Sequence, residues 1–152
     1  MTTAPPMFSP RPAGNMPQQY LHRARMFRNS AVELPDYSNA EQNWPKYALL
    51  THCIELCLKA FVQNAVENGM PAPSKEPRQH DLIGWYLVAV HYGLRDEPGV
   101  KDNIDLLNGL HLTHYTRYPQ VRATPLPDAS VIADSTVDHV ISIITHSVNL
   151  RN

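Results

Sequence analysis

Apolar residues cover nearly every face of the helix predicted over residues 47–69. Leu50, Ile54, Cys57, Phe61 and Ala65 recur at helical spacing, and Leu49, Cys53, Leu56 and Ala60 run beside them as a second stripe. A helix greasy on all sides belongs in the middle of a bundle. Its one polar line is His52, Glu55, Lys59 and Gln63, which stack along a single edge because residues three and four apart share a helix face.

The remaining elements arrange themselves around that rod. Tyr20, Ala24, Phe27 and Ala31 predict a first helix that starts after Asn15 as a candidate cap, has Pro17 in its first turn and stops near Leu34 and Pro35. Asp81 stands where an N-cap is wanted for a third helix over residues 82–94, with Leu82, Trp85, Tyr86, Ala89 and Val90 inward and Gly93 near its end. Trp, Tyr and Val also favour strands, but the run lacks strand alternation and is read as helix. A fourth helix is expected over residues 100–114, facing inward with Ile104, Leu107, Leu110 and His111. A fifth follows Asp128 or Ser130 and carries Ala133, Val137, Val140, Ile141, Ile144 and Val148 as its stripe. Prolines mark residues 70–80 and 115–127 as loops, and four prolines make residues 1–14 a tail expected to be disordered. The chain thus reads as a tail, 1–14, and a single domain, 15–152, in the all-α class: an antiparallel up-and-down bundle of about five helices.

Composition changes this picture little. At 152 residues the chain is one domain's worth of sequence, able to build a core without staples. A net charge of -1 excludes a strong global pull on polyanions or membrane surfaces. No stretch is long and apolar enough to span a bilayer, no secretory leader is visible, and the expected location is the cytoplasm. Cys53 and Cys57 lie one turn apart on the central helix, a poor geometry for a disulfide, and read as small core residues.

Candidate chemistry concentrates at a few places. Glu55 and Lys59 form an (i, i+4) pair in the favourable order. As a surface pair it is worth little, whereas on a buried helix it marks a ligand pocket or a subunit interface. His80 and Asp81 invite two readings, a plain helix cap or a phosphate site that uses the free amides of a helix N-terminus. Arg23, Arg25 and Arg28, with Tyr20 and Phe27, make a small basic and aromatic patch that reads first as solvated surface and second as a phosphate-backbone site. His111 with His114 and His139 with His146 have permissive metal spacing. The Glu-x-x-His motif of metal-binding bundles is absent, so no metal and no cofactor is expected. Nucleophile elbows, phosphate-cradling glycine loops and zinc-protease motifs are also missing.

Four short segments, Phe27-Arg28-Asn29-Ser30-Ala31, Ile54-Glu55-Leu56-Cys57-Leu58-Lys59-Ala60, His80-Asp81-Leu82 and Arg117-Tyr118-Pro119, together resemble HEPN domains, the "higher eukaryotes and prokaryotes nucleotide-binding" bundles. The resemblance covers most of residues 16–149. It implies a helical bundle paired into a homodimer, with nucleotide, RNA or a cognate protein as partner, and Glu55, Lys59, His80, Asp81, Arg117 and Tyr118 as ligand-binding or interface residues. Many members are metal-independent ribonucleases of toxin-antitoxin and phage-defence systems that carry an Arg closely followed by a His. Here Arg78 and His80 are too close together, Arg11 and His22 too far apart, and Arg117 has no following His within reach. The resemblance therefore implies a binding module without catalysis. The alternative is a divergent ribonuclease in which His80, His114 and Arg117 supply the acid, base and cation.

Overall fold

The computed structural model describes residues 15–38, 40–112 and 129–151. Expectations for residues 1–14 and 115–127 fall outside the described residues, as do His114, Arg117 and Tyr118. Every regular element among the described residues is helical: α1 (Met16–Glu33), a short 3₁₀ turn (Ala40–Asn43), α2 (Trp44–Glu67), α3 (Leu82–His91), α4 (Pro98–Leu112), and a final rod. That rod starts as α5 (Ala129–Ile132), passes through a π-helical turn (Ala133–Val137) and ends as α6 (Asp138–Arg151). It is an all-α bundle.

α2 is the hub, with α1, α3, α4 and α6 packed around it. Most of its 24 residues are buried, among them Leu50, Cys53, Ile54, Cys57, Leu58, Phe61 and Val62. This accounts for most of its apolar composition: four neighbours cover it, leaving Trp44 exposed and Ala48, Leu49, His52 and Leu56 half-buried. The helix begins three residues before the predicted start, at Trp44, with Pro45 in its first turn, where the missing amide costs nothing. Beyond its end, Gly69 adopts φ 105°. The Gly69 amide donates to the Val66 carbonyl and the Met70 amide to the Ala65 carbonyl, which together make a Schellman stop. The same two-bond arrangement ends α3 at Gly93, φ 110°, with Leu94 donating to Ala89.

α1 lies against α2 and is clasped to α6 by side chains. Arg28 binds Asp138 with two parallel bonds of 2.8 and 2.9 Å, Arg25 donates to the Thr145 hydroxyl at 2.8 Å, and Gln18 donates to Asn149 at 3.1 Å. As the α1 partner advances along the chain the α6 partner recedes, so the two helices are antiparallel. One local expectation fails here: Asn15 sits at φ 57° and makes no side-chain cap bond, its carbonyl instead receiving the Gln19 amide. The π-helical turn was also not foreseen. It accompanies the burial of Thr136, whose hydroxyl accepts a 2.7 Å bond from Asn103 of α4.

Candidate functional site

The polar line of α2 is buried beyond His52, which is half-buried. Glu55, Lys59 and Gln63 are 4%, 6% and 1% exposed, which rules out the reading of Glu55–Lys59 as a solvated surface pair. The Lys59 ammonium donates to Glu55 Oε2 at 3.2 Å and lies 5.2 Å from the centre of the Trp85 ring on α3. Glu55 is thereby held through one oxygen. Its other oxygen, Oε1, is buried, accepts no hydrogen bond among the described residues, and stands 3.4 Å from His80 Nδ1.

His80 comes to this spot from the loop before α3, and its backbone pays a visible strain: φ is 69°, in the left-handed region. The next residue explains why that conformation persists. The Asp81 amide closes a turn onto the Arg78 carbonyl at 3.0 Å, and the Asp81 carboxylate caps α3 by accepting the Gly84 amide at 3.1 Å. A Cβ at Gly84 would sit 2.6 Å from Asp81 Oδ2, so a larger residue there would have to displace the capping carboxylate. With its backbone fixed on both sides, His80 points into the cluster, where its ring meets the His52 ring edge-on with centroids 5.4 Å apart. Phe27 of α1 stacks on the other side of His52, also at 5.4 Å. The result is a knot of His52, Glu55, Lys59 and His80 walled by Phe27 and Trp85. It is reached from the imidazole side, where the His80 side chain is 27% exposed against 6% for Glu55.

Two candidate phosphate sites have their donors engaged within the protein. The first amides of α3 are already bonded: Leu82 donates to Asn108 Oδ1 at 2.7 Å, Ile83 to the same oxygen at 3.4 Å, and Gly84 to Asp81. The plain cap reading of Asp81 is the one the structure bears out. In the basic patch, Arg25 and Arg28 bond to α6, and Arg23 is exposed. Of the histidines with permissive metal spacing, His139 is 2.6 Å from Glu97 Oε2, and the His111 side chain and His114 are not described. A shallow groove between the start of α4 and the final rod, lined by Arg95, Glu97, Asn103, Thr136 and His139, is rimmed by groups that bond one another.

The structure thus unites Glu55, Lys59, His80 and Asp81, which the sequence singled out as separate features, and adds two residues that sequence reasoning missed. His52 was read only as part of a polar edge. The signal that marks it is His52-x-x-Glu55, the reverse of the metal-binding order sought, which still places both side chains on one face. Asn108 carried no signal, since a buried side-chain amide serving another helix's N-terminus is a tertiary event. Comparison with known proteins returns no match, neither a family model nor a curated sequence nor a solved structure.

Proposed function

We infer that this chain is a HEPN-like helical bundle that acts by binding without catalysis, as a homodimer whose partners are proteins. The observation that supports the reading is the meeting of two separated segments of the resemblance. Glu55 and Lys59 from one and His80 from the other close into a single buried cluster, with Asp81 fixing the approach of His80. A protein partner is favoured over nucleotide or RNA because Arg25, Arg28 and the α3 amides already have internal partners, so the described residues offer phosphate few donors. Glu55 and Lys59 act from beneath the surface and shape a face that His80 and His52 present. No helix among the described residues is long and apolar enough to cross a membrane.

Light scattering on the purified chain at micromolar concentration tests the assembly: the expected species has twice the 17.2 kDa chain mass, and a monomer alone overturns the dimer. Incubation with mixed RNA in EDTA tests the chemistry, with intact RNA expected. Cleavage that His114→Ala abolishes would replace this reading with the ribonuclease one. RNA retention without cleavage, weakened by added salt, would shift the partner from protein to nucleic acid.

A further inference from the structure

We propose that His52, Glu55 and His80 form a binding site for a first-row divalent cation of the zinc class. One ligand atom from each of the three residues lies within 4.8 Å of the other two. Two imidazoles and a carboxylate are the donor set that zinc and its neighbours favour, and the nitrogen donors argue against magnesium or calcium. Three protein ligands would leave coordination positions open.

The geometry is close to what a metal requires. Donor atoms around a tetrahedral zinc with bonds of about 2.0–2.2 Å sit roughly 3.3 Å apart. Glu55 Oε1 and His80 Nδ1, at 3.4 Å, already have that spacing. His52 reaches them from the same face of α2 that carries Glu55, with its ligand atom within the 4.8 Å that encloses all three donors. The buried oxygen without a hydrogen bond, Glu55 Oε1, is the one that faces the histidines. Its partner oxygen is held by Lys59, which orients the carboxylate in the way that a hydrogen-bonding neighbour orients a metal ligand. Phe27 does the same for the His52 ring by stacking. The Lys59 ammonium opposes a second positive charge nearby, and its contact with the Trp85 face draws it to the far side of the carboxylate.

The site stands on geometry alone and is independent of the binding-module reading. The test titrates Zn²⁺ into chelator-treated, untagged protein by calorimetry, with Co²⁺ absorption as a report on coordination. One equivalent per chain is expected, with a rise in melting temperature on loading. His80→Gly is the informative variant, because glycine accepts the left-handed backbone at position 80 and the fold is kept. It and His52→Ala are each expected to weaken zinc binding at least about 10- to 100-fold, the range that loss of a supporting residue alone produces. A double variant, His139→Ala with His146→Ala, is expected to leave the tight equivalent in place. Absence of a stoichiometric site in the wild-type chain, or zinc binding by His80→Gly and His52→Ala as tight as by the wild type, overturns the proposal.

Discussion

At the scale of single residues, the decisive fact is that the Lys59 ammonium is buried against the Glu55 carboxylate and the face of Trp85. Removing one member of such a pair leaves a charge with nothing to offset its desolvation. Lys59→Met is therefore expected to lower unfolding free energy by about 3–5 kcal/mol, measured by urea denaturation. The double variant Glu55→Leu with Lys59→Met should recover most of that loss, since an apolar pair of similar volume suits the surroundings. The sequence showed the pair and its order but not its burial. A helix apolar on nearly every face can place a polar line either outward or against a neighbour, and only the arrival of α3, bringing Trp85 and His80, decides between them. The same holds for Cys53 and Cys57, which were legible as core residues from their position alone and are fully buried and unbridged.

At the scale of helices, ends set by local chemistry were readable, although the Asn15 cap does not form and α2 starts three residues before its predicted start. Gly69 and Gly93 end their helices, and Asp81 begins one, for reasons contained within a few residues of each. The stripe of the final rod was equally plain, with Val137, Val140, Ile144 and Val148 all buried. What escaped was the joining of one helix to another by polar side chains. Asn108 lends a single carbonyl oxygen to two amides of α3, tying that N-terminus to α4. Asn108→Leu is expected to cost about 1–3 kcal/mol, because it leaves a buried amide without an acceptor. Thermal unfolding checks it, and Asn108→Asp, which keeps the oxygen, should lose less.

For the molecule as a whole, four groups among the described residues, Tyr20, Cys57, Tyr86 and Tyr92, are pushed toward the alkaline side. Burial raises the Tyr92 phenol above its ordinary 10.0 and is the main cause for Tyr20 and Tyr86 as well. Cys57 is pushed well above its ordinary 9.0, chiefly by its bond with Cys53 and then by burial. Each group resists ionising in the folded chain more than in the unfolded one. Stability from this source is therefore fully present below about pH 9 and is lost as pH rises through the folded values. Denaturant midpoints measured from pH 8 to pH 11 are expected to fall over the upper part of that interval, and Tyr92→Phe should flatten the decline.

The central position of α2 also has a consequence for motion. A helix that touches α1, α3, α4 and α6 cannot free its backbone while any of them stays docked, so local opening is denied to it. Amide hydrogens between Ile54 and Val62 should then exchange with deuterium only through complete unfolding. Their opening free energies should equal the global value, and those of α3, closed by short caps at both ends, should be lower. Exchange near Ile54 that proceeds faster than global unfolding would mean that the hub can loosen on its own.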